Sequence, residues 1–430
     1  MENGIVLKKE LKTHFNRWFT LGIIILGGGT IFKLSSLKDA FYVPMQQFMG
    51  LSNTQIGFGY SMYAMIQTIG LFFSVYISDR FSKKKLIPLS LISVGVIGLF
   101  LSTLPGYSGF LFVMGSLAFF SEVVYWPVLL KAVRLLGTDE EQGRMFGFLE
   151  AGRGVVDTIV AFTALFIFNR FGEDANALSA AIIFYSVTVI VVGFVSYFFL
   201  EDDEIKEVDE TGKVVGKNKA TWIGVKKAIK TKEIWVAALL IFFIYSVYCG
   251  LTYFIPFLKD IYGLPVTLVG AYGIINQYGL KMVGGPLGGI LADKVFKSSI
   301  KYIQFAGLLA VAAMTGILFL PHESLNVYLG MACTLGFGAI IFTMRAVFFA
   351  PIDEIKVPRN ISGSAMSIAS LVGYAPSLFA YVLYGSLLDR FPGMQGYRYI
   401  FMIMIGFSIL VFITAMILKN MSKKGVKYEA

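Results

Sequence analysis

Ionisable residues stand inside stretches that are otherwise apolar. Glu122 lies in Phe119-Phe120-Ser121-Glu122-Val123-Val124-Tyr125-Trp126, five residues before Pro127. Lys281 follows Asn276 and Gln277 in a glycine-rich run that reaches Gly289, and Gln277 and Lys281 are one helical turn apart. Arg345 precedes Pro351 within another apolar stretch, and Lys33 lies deep in the first, with Lys38 and Asp39 nearer its end. Glu150, Arg153 and Asp157 are spaced by three and four and would form one polar stripe on a helix. Ionised groups in hydrocarbon cost several kcal/mol unless paired or hydrated, so each is a candidate for ligand binding, proton transfer or ion pairing. A carboxyl facing a cavity has its pKa raised by desolvation, which suits Glu122 to reversible protonation. Lysine and arginine in the same setting attract anions, and the arginine fork holds a carboxylate or phosphate in two-point contact. Lys33, Lys281 and Arg345 are therefore candidate anion contacts. Asn276, Gln277 and Tyr125 join them as buried polar groups that need partners. The competing reading for each is a structural hydrogen bond or ion pair, and Glu150, Arg153 and Asp157 can neutralise one another without a ligand. That stripe reads first as a structural or gating network.

Other chemistries find no support. His14 and His322 are far apart, Cys249 and Cys333 sit in separate apolar runs, and no metal-ligand spacing occurs. There is no phosphate loop, nucleophile elbow or pair of catalytic carboxylates. The expectation is a non-enzyme without metal or cofactor.

The elements that position these residues follow from composition. Of the 430 residues 56% are hydrophobic and 15% are charged, whereas a soluble domain carries about 25% charged residues. Lipid must solvate much of this chain. Windows of about 20 apolar residues suffice to span a bilayer. They fall at about 18–44, 53–78, 85–103, 109–135, 143–168, 178–200, 234–257, 266–292, 300–320, 325–350, 360–388 and 396–418. Backbone groups in hydrocarbon must be satisfied within the segment, which makes these spans helices. The fold class expected is an all-α membrane protein of twelve transmembrane helices in two six-helix bundles, 1–200 and 234–430. A polar linker joins them at 201–233. In it Trp222, Ile223 and Val225 beside Lys226 and Lys227 suggest either a helix on the inner leaflet or a solvated connection.

The net charge of +10 is confined to alternate loops, such as Arg80 to Lys85, Lys131 to Arg144, Lys294 to Lys301 and Lys419 to Lys427. This is the positive-inside pattern rather than a nucleic-acid footprint, and it puts both termini in the cytoplasm. The first apolar segment is too long, and too poor in a small-residue cleavage site, to read as a cleaved signal.

The two halves resemble each other. Leu51-Ser52-Asn53-Thr54-Gln55-Ile56-Gly57 matches Leu264 to Gly270, Asp79-Arg80 matches Asp293-Lys294, and Asn169-Arg170-Phe171 matches Asp389-Arg390-Phe391. Gly289-Ile290-Leu291-Ala292-Asp293-Lys294 resembles the signature after the second helix of the major facilitator superfamily, and Ser78 to Lys85 is a degraded copy of it. Glu122 to Pro127, and Gln142-Gly143-Arg144 with Gly147, resemble the organic anion transporters of the sugar-acid, glycerol-phosphate and monocarboxylate type. Those families carry an arginine in the middle of helix 1, where this chain has Ser35 and Ser36 flanked by Lys33 and Lys38.

The resemblance implies alternating access in a monomeric carrier of the plasma or inner membrane, with lipid, a small organic anion and protons as its partners. Glu122 would couple protons, and Asp79, Arg80, Asp293 and Lys294 would act with Glu150, Arg153 and Asp157 in gating. The alternative within this fold is an exporter or facilitative carrier of neutral or drug-like solutes, its basic residues locked in pairs.

Overall fold

In the computed structural model the described residues are 17–80, 82–134, 136, 142–200, 229–322, 324–355 and 359–424. Side chains are described for all of these except 71–72, 74–80, 142–144, 359–364 and 423–424. Among the described residues every regular element is helical. Nine helices are long and apolar enough to cross a membrane unbroken, and the chain has the twelve-helix architecture. Large apolar side chains such as Phe112, Phe166, Phe198 and Phe319 are more than 60% exposed. They are so numerous that the solvent around them must be lipid.

Contacts divide the described residues into two compact units. The first runs to Leu51 and resumes at Met62. The second takes in Ser52–Ser61 and everything from 229 onward.

The first unit begins with α1 (17–30) and α2 (Lys38–Met49). The sequence predicts one continuous helix over 18–44, but the backbone is a run of turns over 31–37. Bonds there are of mixed step, with Lys33 N donating to Thr30 O and Ser36 N to Phe32 O. The Thr30 hydroxyl bonds back to Leu26 O at 2.8 Å, a side-chain competitor that loosens the helix just before the break. The other elements of this unit are α3 (Asn53–Arg80, from Met62 onward), α4 (Lys83–Leu101), α5 (Tyr107–Arg134), α6 (Gln142–Arg170) and α7 (Ala175–Phe199). Ser82 and Asp174 supply side-chain caps to α4 and α7. Gly95 and Gly193 let α4 and α7 approach so closely that any Cβ there would press on the opposite helix.

The second unit holds α8 (Lys232–Gly250), a 3₁₀ turn Leu251–Tyr253, α9 (Phe254–Asp260), α10 (266–295), α11 (Ser299–Phe319), α12 (Val327–Val347), α13 (Ala350–Glu354), α14 (Arg359–Gly373), α15 (Ala380–Arg390) and α16 (Met394–Lys424). Gly284 and Gly288 of α10 pack on Phe342 and Thr343 of α12, and Gly373 of α14 packs on Ile241 of α8.

Three π turns interrupt the helices, at Phe119–Tyr125, Ile275–Gly279 and Leu291–Val295. A π turn inserts one residue into the helical repeat and re-aims the side chains beside it, and such turns concentrate at functional positions. These three contain Glu122, the pair Asn276–Gln277, and Asp293–Lys294.

Candidate functional site

The polar stripe on α6 forms as its spacing predicts, and it turns toward α1 and the break that follows. Lys33 Nζ lies 2.8 Å from Asp157 Oδ1 and also donates to the Asp157 carbonyl at 3.2 Å. Lys33 is 2% exposed, so the pair is removed from solvent. Arg153 uses all parts of its guanidinium. Nη1 meets Glu150 Oε1 at 2.7 Å, Nε donates to Gly28 O at 3.1 Å, and the plane lies over the rings of Trp126 and Phe32. Lys38 and Asp39 pair with each other at 2.8 Å. Lys33 is thus a partner of Asp157, and Arg153 is bound to the backbone of α1.

Glu122 has no such cation. On its π turn it accepts a hydrogen bond from the Tyr63 hydroxyl at 3.1 Å, and that hydroxyl shares a second bond of 2.8 Å with Ser121 Oγ. Ser121 in turn donates to Leu117 O at 2.6 Å, closing a short polar relay around the carboxyl. Among the described residues Glu122 forms no ion pair. Tyr125, one turn along, is fully buried with its hydroxyl against Gly27 and no hydrogen-bond partner.

In the second unit Arg345 occupies the last turn of α12, where the helix dipole favours a cation. Its guanidinium stacks on Tyr248 at 4.1 Å from the ring centroid, with Tyr245 at 5.9 Å. Tyr245 packs edge-on to Tyr374 at 4.9 Å. Arg345 makes no hydrogen bond or ion pair among the described residues. Its face is covered by aromatic carbon while its N–H edge remains unspent. The Tyr248 hydroxyl reaches Gln277 Oε1 at 3.4 Å, which ties the π turn of α10 to this cluster. Asn276 is fully buried and donates to Leu251 O at 3.2 Å, while its Oδ1 has no partner. Lys281 is exposed, a turn beyond Gln277, and is not among the residues that cage Arg345.

Of the remaining expected site residues, Asp293 and Lys294 lie exposed on the third π turn. The side chains of Asp79 and Arg80 lie outside the described residues, as does the linker stretch 201–228. Two carboxylates stand out that sequence reasoning did not assign. Glu354 accepts from the hydroxyls of Ser298 and Ser299 and from Ile300 N, capping α11. Asp389 caps α3 in the same way. Neither has a local signal, because each caps a helix remote from it in sequence.

Comparison with known proteins places this arrangement. The chain is 49% identical over 409 residues to Inner membrane protein YihN of Escherichia coli (strain K12), covering 95% of this chain and 97% of that one. It is 30% identical over 387 residues to Inner membrane protein YqcE of the same organism, covering 89% and 90%. Among solved structures, a bacterial homolog of the human lysosomal transporter Spinster superposes with a TM-score of 0.77 at 14% identity, over 96% of this chain and 99% of the other. The nucleoside transporter NupG gives a TM-score of 0.70 at 13% identity, over 93% and 99%. The model of the Major Facilitator Superfamily matches residues 39–381, and the chain belongs to that family of membrane carriers.

Proposed function

We propose that this carrier moves a small organic anion, a carboxylate or sugar acid, by alternating access and couples it to protons. The observation that carries this reading is Arg345. A guanidinium inside an apolar bundle, stacked on tyrosines and with no carboxylate beside it, is an unfilled anion subsite. Its free N–H edge suits an anion with two coplanar oxygens. Gln277 and the hydroxyls of Tyr245, Tyr248 and Tyr374 are the neighbouring polar groups available to the rest of the solute. Glu122 is the matching proton site, since it is held by a tyrosine hydroxyl and can carry or release a proton without breaking an ion pair. The relatives named as inner membrane proteins, and the charge bias of the loops, support an inner-membrane location with both termini cytoplasmic. A monomer is the working state.

A second reading is a carrier of neutral solutes. It is favoured by the neutralisation of Lys33 and Arg153 within the first unit and by the nucleoside transporter among the structural neighbours.

Proteoliposomes loaded with a pH-sensitive dye distinguish the two. Pools of monocarboxylates, dicarboxylates, sugar acids and sugar phosphates are added outside. One pool should acidify the lumen. Arg345→Ala should weaken that solute by about 10- to 100-fold, the worth of a charge-assisted pair, with Arg345→Lys intermediate because it keeps the charge and loses the fork. Uptake that is indifferent to solute charge and to Arg345→Ala would reject the anion reading in favour of neutral cargo.

A further inference from the structure

The start of α3 is held by a carboxylate from another helix. Ser52 and Gln55 form a capping box, with Gln55 N donating to Ser52 Oγ at 3.2 Å and Ser52 N to Gln55 Oε1 at 3.0 Å. That leaves the amides of Asn53 and Thr54 as the open donors of the first turn. Asp389 of α15 takes both. Oδ1 accepts from Asn53 N at 3.1 Å and Asn53 Nδ2 at 2.9 Å, and Oδ2 accepts from Thr54 N at 2.7 Å and Thr54 Oγ1 at 2.5 Å. Four hydrogen bonds to one carboxylate, at the positive end of a 28-residue helix, are all charge-assisted.

The backbones are brought together by two glycines. A Cβ on Gly57 would strike the Tyr381 carbonyl, and one on Gly385 would strike the Asn53 carbonyl. Tyr60 packs on Tyr381 one turn further along. The contact is dry, close and small at the glycines, and charged only at Asp389.

Both partners belong to phrases that recur in the two halves of the sequence, yet the recurrence fails at the residues that matter. The counterpart of Asp389 is Asn169, whose amide donates to Glu173 at 2.8 Å within its own unit. The counterpart of Asn53 is Val266, and α10 starts behind Pro265 with no side-chain cap. The amide at 169 lacks the charge that makes Asp389 a strong cap.

We propose that Asp389 is a positioning residue, a one-sided releasable clamp on the first turn of α3. Helix α3 starts in the second unit and continues into the first, so its first turn is where a carboxylate of the second unit can hold or free a helix of the first. The proposal rests on the alternating-access reading, in which α3 must change neighbours during the cycle. Release exposes two backbone amides and a carboxylate to water, which rehydrates them, so the clamp is firm without being permanent.

The test needs no substrate. Nitroxide labels at Phe58→Cys on α3 and Leu383→Cys on α15, in a background with Cys249 and Cys333 replaced by alanine, report the separation of the two helices by pulsed electron resonance. The parent should show a dominant short distance. Asp389→Asn should raise the ratio of long to short distances about tenfold, the equivalent of one charge-assisted interaction. Asp389→Glu should restore most of the short population, which a purely steric role would not predict. Gly385→Ala, with the carboxylate intact, should wedge the contact and lengthen the same distance. Thr54→Val removes one donor and serves if Asp389→Asn does not fold, with a shift of about threefold expected. An unchanged distribution in Asp389→Asn or Thr54→Val overturns the clamp. A shifted distribution in a protein that transports none of the tested solutes upholds the clamp and counts against the transport reading instead.

Discussion

The two units treat buried charge in opposite ways. In the first, the buried cations Lys33, Lys38 and Arg153 each lie within 2.8 Å of a carboxylate oxygen, and the acid left over is Glu122, held by a tyrosine hydroxyl. In the second, Arg345 has aromatic faces for company and no acid. One unit is short of a cation and the other short of an anion. Ion pairs inside a low-dielectric bundle fix helices to one another, whereas a single charge without a partner is tolerated for what it binds. The difference separates scaffolding charges from working ones more sharply than residue type does, since lysine and arginine occur in both roles.

The largest effect should come from breaking a scaffolding pair. Asp157→Ala removes the carboxylate 2.8 Å from a lysine that is 2% exposed. Uncompensated buried charge costs about 3–5 kcal/mol, so thermal unfolding in detergent should show a loss of that order. Lys33→Met combined with Asp157→Leu should recover to within about 1 kcal/mol of the parent, because hydrophobic replacement of both partners is close to neutral. Arg345→Met is the matching change in the second unit. It removes a charge that has no acid and forfeits only a cation–π contact worth about 0.5–2 kcal/mol, so stability should stay nearly constant while anion binding disappears. Equal losses in Asp157→Ala and Arg345→Met would erase the distinction between the units.

Glu122→Gln keeps the shape and the Tyr63 contact but cannot change charge. Across a pH gradient of about one unit, a one-proton symporter accumulates solute about tenfold. The variant should bring that ratio to about one while leaving solute exchange intact. Full accumulation by Glu122→Gln would leave the first unit with no working charge at all, and the proton would have to be carried elsewhere.

Much of this was legible before any coordinates. Long apolar windows locate the traversing helices because hydrocarbon demands them, and the stripe Glu150, Arg153, Asp157 follows from helical period alone. What those residues touch was not legible. Lys33 reads as an anion contact until α6 is seen to bring Asp157 to it, and the break at 31–37 is invisible because its residues are as apolar as their neighbours. The π turns are equally silent. One inserted residue leaves the composition unchanged, yet it aims Glu122 at Tyr63. Asp389 was visible as half of a repeat, but its duty depends on a helix more than 300 positions away.

The smallest effect should fall on the one ion pair of the first unit that meets solvent. The Glu150 side chain is 51% exposed, whereas that of Arg153 is 10% exposed. Exposed partners rehydrate when the pair is cut, and such pairs contribute about 0–1 kcal/mol. Arg153 would still donate to Gly28 O and still lie over Trp126 and Phe32. Glu150→Gln should therefore lower stability by less than about 1 kcal/mol, and raised salt should shrink the difference further. Arg153→Met should cost more, since it also gives up the bond to α1 and the ring contacts. If Glu150→Gln instead proves as damaging as Asp157→Ala, exposure is not what grades these pairs. The whole α6 stripe would then act as one network whose members fail together.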